Sequence, residues 1–174
     1  KTHIPDRISI DKRPKHVEKR IQPGHWEVDT LISRQTKESV AISLERTSRR
    51  IHLAKLTSKT SNQLKIAINR RLSRHPKHMR LTITYDNGSE NVDHQEINKV
   101  LGTKSYFCNP YHSWEKGSVE HASSLVRRFL PKITNFSIIT HQQIKQIETL
   151  LNNRPRKCLN YRTPLEIFKS KCCT

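Results

Sequence analysis

Three acidic side chains stand where the surrounding pattern gives little local reason for them. Asp29 lies inside the apolar, β-branched run His25-Trp26-Glu27-Val28-Asp29-Thr30-Leu31-Ile32. Asp is a poor strand former, and a carboxylate carried toward a core needs a partner or a metal. Asp86 ends the run Leu81-Thr82-Ile83-Thr84-Tyr85, just before Asn87-Gly88, at the carboxyl end of a strand, where α/β sheets place their chemistry. Glu120 follows Ser118 in a helical stretch whose positions 116, 120, 123 and 127 share one face, occupied by Lys116, Glu120, Ser123 and Arg127. Each acid alone has an ordinary explanation: an exposed edge strand or an Arg partner, an Asp-Asn-Gly turn, an ion pair with Lys116. Together they are a donor set for a hard divalent cation such as Mg²⁺, which takes oxygen ligands. Two such ions roughly 3.5–4 Å apart can serve in-line displacement at phosphorus. Glu27, Glu45 and Glu90 are nearby acidic competitors for the same role.

The charge explains why phosphorus is the relevant atom. Lys and Arg number 33 against 15 Asp and Glu, a formal +18 at pH 7. Such an excess favours a polyanionic partner, and nucleic acid is the commonest. Carboxylates repel phosphate unless a metal intervenes, so acids in so basic a chain point to metal-assisted phosphate chemistry. A membrane partner is not expected: no run approaches the roughly 18 apolar residues of a span, and no basic amphipathic helix carries an aromatic anchor. Cys108, Cys158, Cys172 and Cys173 show no paired spacing with His, so a zinc knuckle is unsupported. They read as free thiols of a reducing cytoplasm.

The elements that must position the acids follow from periodicity. Residues 1–22, with Pro5 and Pro14, read as a basic arm or linker, and 23–174 as one domain. Val40, Ile42 and Leu44 alternate as in a half-buried strand, and Ile51 to Leu56 form a third. Short turns make these an antiparallel meander with the Asp29 strand. Thr60 and Gln63 form a capping box ahead of Leu64, Ala67, Ile68 and Leu72, a helix that Pro76 stops. A strand to Asp86 then returns by a right-handed crossover. A short helix near Asp93 to Leu101 leads to a fifth strand, Ser105 to Cys108. The remainder is helical: a stripe of Val119, Ala122, Val126 and Phe129, a second capping box at Thr140 and Gln143, and a closing helix with Pro164 at its first position. Trp26 and Trp114 read as core or wall residues. The fold class is α/β, a five-stranded mixed sheet flanked by helices.

Several runs resemble the catalytic core of bacterial insertion-sequence transposases of the IS-thirty type: Gly24-His25-Trp26-Glu27-Val28-Asp29, Tyr85-Asp86-Asn87-Gly88-Ser89-Glu90, Tyr106-Phe107-Cys108-Asn109-Pro110-Tyr111 and Ser113-Trp114-Glu115-Lys116-Gly117-Ser118-Val119-Glu120. Asn152 to Lys157 and Arg162-Thr163-Pro164 resemble that family's closing segment. The resemblance runs from about residue 14 to 168. It implies a ribonuclease H-like fold and the Asp-Asp-Glu triad of the retroviral-integrase superfamily, mapped onto Asp29, Asp86 and Glu120 as catalytic residues and metal ligands. Two Mg²⁺ ions, with Mn²⁺ as substitute, are the implied cofactors. The chain departs from the family at His121 and Ser123, where Asn is usual. The family's amino-terminal helix-turn-helix is not in this stretch, so lower specificity for element ends is expected.

The implied reaction is DNA strand cleavage followed by attack of the freed 3′-hydroxyl on a target phosphodiester. The partners are transposon ends and target DNA, within a homo-oligomeric assembly in the bacterial cytoplasm, at the nucleoid. Lys116, His121 and Arg127 are the candidates for DNA contact. Two alternatives stay open: a ribonuclease H-like nuclease without strand transfer, and a non-catalytic DNA-binding module.

Overall fold

Alternating apolar residues build the first three strands, β1 (His25–Ile32), β2 (Ser39–Glu45) and β3 (Ile51–Leu56), paired antiparallel in sequence order. The structure, a computed structural model, describes residues 3–110 and 112–172, with the backbone alone at Ser113 and Trp114. Tyr111 of the third motif, Cys173 and the Trp114 side chain lie outside the described residues. Helix α1 (Ser61–Leu72) crosses to β4 (Thr82–Tyr85), which runs parallel to β1. Helix α2 (His94–Leu101) returns to β5 (Lys104–Phe107), parallel to β4. The sheet order is β3-β2-β1-β4-β5. Helices α3 (Gly117–Arg127), α4 (His141–Asn152) and α5 (Pro164–Cys172) complete the chain.

The pleat of β1 divides the core in two, because successive side chains leave opposite faces. Trp26 and Val28 join Leu64, Ile68, Leu72, Ile97 and Phe168 on the face covered by α1, α2 and α5. Leu31 joins Ile42, Leu44, Val119, Val126 and Ile144 on the face covered by α3 and α4. Trp26 is fully buried and its Nε1 donates to the Met79 carbonyl at 2.8 Å, so it is a core residue. The edge-strand explanation for Asp29 fails, since β1 is the middle strand.

Entry into β1 depends on Gly24, at φ +95°, where an added Cβ would collide with the His78 carbonyl oxygen. That close approach lets the Gly24 carbonyl accept from the backbone N–H groups of Leu81 and Thr82, aligning β4 beside β1. The helix ends differ from expectation in one case. Thr60 stands at the N-cap of α1 but its hydroxyl caps nothing; it lies 3.4 Å from Ser58 Oγ instead. Thr140 and Gln143 do close a reciprocal box. Thr163 and Glu166 form another around Pro164. The apolar stripe of α3 ends at Val126: Phe129 lies beyond the helix and is 45% exposed, and Leu130 is buried in its place.

Residues 3–22 lie along the sheet. Ile4, Ile10 and Val17 are buried, Ser9 bridges to Phe107, and the buried Arg13 donates to Thr84 Oγ1 at 2.8 Å. Cys108, Cys158 and Cys172 are free thiols. Among the described residues no helix is long and apolar enough to cross a membrane.

Candidate active site

The parallel register pairs His25 with Thr82, Trp26 with Ile83 and Glu27 with Thr84. Continued two residues past its last pair, to the residue just after β4, it sets Asp29 alongside Asp86. Two neighbouring parallel strands thus carry adjacent acids, Asp29 within β1 and Asp86 just after β4, on the face that α3 covers.

Helix α3 is docked there by its apolar stripe and by one buried polar contact. Val119 and Val126 are fully buried among Leu31, Ile42 and Leu44. The Val119 N–H, an unpaired donor of the first turn, gives its hydrogen bond to Glu27 Oε2 at 2.8 Å. Glu27 is itself buried, with Arg46 Nε 3.4 Å from its other oxygen. Glu27 is therefore a docking residue for α3. The other acidic competitors are similarly occupied. Buried Glu45 accepts from Gly24, Thr47 and Ser48, although burial raises its carboxyl above the usual range. Glu90 pairs with Lys59 at 3.0 Å.

With α3 so placed, its polar face meets the acids. Ser123 Oγ donates to Asp29 Oδ2 at 2.7 Å. Lys116 Nζ lies 3.2 Å from Asp86 Oδ2 and 3.6 Å from Asp29 Oδ1, and also donates to the Val28 carbonyl at 3.1 Å. On Asp86, Oδ1 accepts from the Gly88 N–H at 3.0 Å and from Asn91 Nδ2 at 2.8 Å. Partial burial pushes the Asp86 carboxyl up, but the Lys116 charge and the Gly88 N–H outweigh it and hold it below the usual carboxylate range. Burial would lower the Lys116 ammonium; the charges of Asp86 and Asp29 raise it instead.

Glu120 is half-buried, one turn after Lys116 and one before Ser123 on the same face. Among the described residues its carboxylate has no hydrogen-bond or ion-pair partner. Nor do any three His, Cys, Asp or Glu side chains among the described residues lie close enough together to hold one metal ion. The structure therefore joins Asp29 and Asp86 through a shared cation, with Glu120 on the facing helix surface outside that contact. Two carboxylates already sharing an ammonium are the kind of oxygen donors a hard divalent ion takes, so Asp29 and Asp86 fit such a group.

The three candidates for DNA contact are distributed differently. Lys116 is buried and spends its charge on the aspartates. Arg127 donates to the Ile32 carbonyl at 2.9 Å and lines a groove of about 590 Å³ that runs from Asp29 past Ser123, Arg34 and Lys132. His121 is exposed on the other flank of α3, beside a second cavity. Arg34 and Lys132, which line the same groove, were not singled out by the sequence. The Arg34 N–H donates to the Lys132 carbonyl at 2.8 Å, a contact between distant segments with no local signal. The Ser123 contact was partly legible, since its position shares the face of Glu120.

Comparison with known proteins bears on the family and the fold. Residues 19–113 match the Integrase core domain family. The chain is 44% identical over 167 residues to the transposase for insertion sequence element IS4351 of Bacteroides fragilis, covering 95% of this chain and 51% of that protein. It is 33% identical over 160 residues to the transposase InsI for insertion sequence element IS30A of Escherichia coli, covering 92% and 42%. The chain thus spans about half the length of the curated relatives it matches. Among solved structures, the catalytic core domain of BIV integrase superposes with a TM-score of 0.63 at 20% identity, over 84% of this chain and 93% of that one. A chain of the simian T-cell lymphotropic virus intasome gives 0.69 at 16% identity, over 84% and 54%. The fold is ribonuclease H-like, with the five-stranded mixed sheet expected. On the match that spans β1 to β5, the chain belongs to the integrase core domain family.

Proposed function

We propose that this chain is the catalytic core of a transposase, cutting DNA at element ends and joining the freed 3′-hydroxyl to target DNA. In this reading residues 1–22 are a basic arm or linker before a catalytic core formed by 23–174. The observation that carries it is the pair Asp29 and Asp86, brought from two strands to one cation beneath the α3 face that bears Glu120. Divalent-metal dependence is general to the superfamily; two Mg²⁺ ions, replaceable by Mn²⁺, are the finer assignment, held by Asp29, Asp86 and Glu120. When bound, such ions activate the attacking oxygen and neutralise charge on the leaving one.

The chain's own residues do the positioning. Ser123 fixes the Asp29 carboxylate through Oδ2, leaving Oδ1 toward the site. Asn91 and the Gly88 N–H fix Asp86 through Oδ1, leaving Oδ2. Glu120, with no partner among the described residues, is the acid free to move onto an added cation. Arg34, Arg127 and Lys132 line the groove leading away from Asp29 and are suited to hold the phosphates on either side of the reacting one. The names of the relatives support transposition over plain hydrolysis. Joining of two element ends also calls for more than one copy of the chain in the active assembly.

The test is a strand-joining assay with a pre-nicked 3′-hydroxyl end and a labelled target duplex, in Mg²⁺ or Mn²⁺. Asp29→Asn, Asp86→Asn and Glu120→Gln should each lower joining by about 10³-fold, several kcal/mol of lost charge stabilisation at roughly 1.4 kcal/mol per decade. DNA binding in EDTA should persist in all three. Equal joining by wild type and variants would remove the site. Cleavage without joined product would favour the nuclease, and binding with neither activity the non-catalytic module.

A further inference from the structure

The flank of α3 turned away from Asp29 borders a recess of about 190 Å³ that has no part in the chemistry above. Its floor is the edge of the apolar core, where Leu44, Ile51 and Leu125 are largely buried, and its rim is cationic, from Arg20, Arg49 and Arg156 with His121 beside them. These arginines come from the segment before β1, the β2–β3 turn and the loop after α4. Among the described residues no acidic side chain lines the recess. The nearby acids are committed elsewhere: Glu18 to Arg13 and Arg46, and Glu27 to Arg46 and the Val119 N–H. Arg49 Nη1 donates to Ser118 Oγ at 2.6 Å, which fixes it at the first turn of α3, and Arg156 Nε is buried without a hydrogen-bond acceptor among the described residues. Burial first, and then the like charges of Arg49 and Arg46, depress the Arg20 guanidinium against the smaller opposing pull of Glu27 and Glu18; burial and Arg154 depress Arg156. Crowded, partly desolvated cations of one sign are relieved by an anion.

We infer that this recess binds one unpaired nucleotide of a DNA strand, its base on the Leu44–Ile51–Leu125 floor and its phosphate between Arg49, Arg20 and Arg156. The inference rests on the reading of the chain as a DNA-processing core and adds to it a strand-end site outside the metal centre. A free anion would use the rim and leave the floor wet. Duplex DNA presents phosphates on a convex surface and keeps its bases stacked, so it meets the rim but cannot fill the recess. An unstacked base has the flat apolar face the floor needs, and arginine serves both as phosphate partner and as stacking plane. The recess and the Asp29–Asp86 pair flank the same helix, so a strand reaching the acids has a neighbouring place for a nucleotide released from pairing.

The experiment measures binding of a labelled blunt duplex and of the same duplex with a two-nucleotide overhang, in EDTA. Wild type should prefer the overhang by about tenfold, roughly 1.4 kcal/mol, and Arg156→Gln and Arg49→Gln should reduce the preference to near unity while blunt-duplex binding falls much less. Equal affinity of wild type for both duplexes would overturn the inference and leave the transposase reading standing. Failure to bind either duplex would sink both. Equal competition by inorganic phosphate or an acidic peptide, at matched concentration of charge, would also overturn it. Trapping in the wild-type fold covers the case of a variant that does not fold. Cys158 lines the recess as a free, exposed thiol, so an overhang base tethered to a pyridyl disulfide should exchange with it and release pyridinethiol. The adduct should vanish in Cys158→Ser and when the tether is moved to a paired position. An adduct indifferent to tether position would count against the site.

Discussion

The two flanks of α3 handle charge in opposite ways. On one, Asp29 and Asp86 are answered by the buried ammonium of Lys116, the residue that leads into the helix. On the other, three arginines surround an apolar floor and, among the described residues, no acid lines the space. One helix thus separates a place prepared for cations from a place prepared for anions. The difference teaches that the net charge of +18 is not spread as a uniform coat: its local meaning depends on which cations are spent internally and which stay unanswered.

The contrast can be broken or sharpened in three ways. The largest effect is on the basic side. DNA binding should weaken by roughly 10³-fold between 50 and 200 mM salt, as released counterions lose their drive. Replacing both Arg49 and Arg156 with Gln should make the slope of log affinity against log salt shallower by about one to two. A binding constant indifferent to salt would show that the cations face each other and not DNA.

On the acidic side, Lys116→Met should destabilise the metal-free chain by about 2 kcal/mol, a moderate value because Asp29 and Asp86 keep some solvent while Lys116 is buried. Thermal melting with and without Mn²⁺ checks it: added metal should restore more stability to the variant than to wild type. The pH dependence has a definite sign. Asp86 is held below the ordinary 3.8, so its contribution is complete above that value and fades as pH falls below it. The stability gap between wild type and Lys116→Met should therefore close in strong acid and not at neutral pH.

The smallest effect is that of Ser123→Ala. It releases Asp29 Oδ2 from a single hydrogen bond, worth about 1 kcal/mol, so strand joining should drop about fivefold with little change in melting temperature. A loss as large as that of Asp29→Asn would mean that Ser123 itself touches the reacting groups.

Much of the architecture was legible because periodicity is a local property. Val40, Ile42 and Leu44 declared a strand, and Thr140 with Gln143 declared a helix start. Capping was read less well at Thr60, where the residue types were right but the hydroxyl turned to Ser58. The stripe on α3 was extended one residue set too far, to Phe129, because spacing alone does not reveal where a chain leaves the helix. Asp29 and Asp86 were conspicuous as acids in apolar strands, and Glu120 by its place among Lys116 and Ser123. The assignment of Lys116 to phosphate had no way to anticipate that the same ammonium would be enclosed between two aspartates.

By itself the sequence determined the elements, their order, the excess of cations and the anomalous position of three acids, all of which depend on neighbours within a few turns or on simple counting. Only the tertiary structure decided which charges meet. The parallel register of β1 and β4 set Asp29 beside Asp86, and the seating of Val119 and Val126 in the core aimed Lys116 and Ser123 inward. Arg20, Arg49 and Arg156 converge from three loops with no shared period. Coulomb interactions act through space and fall off within ångströms to a Debye length of about 8 Å, so their partners belong to the fold and not to the string of residues.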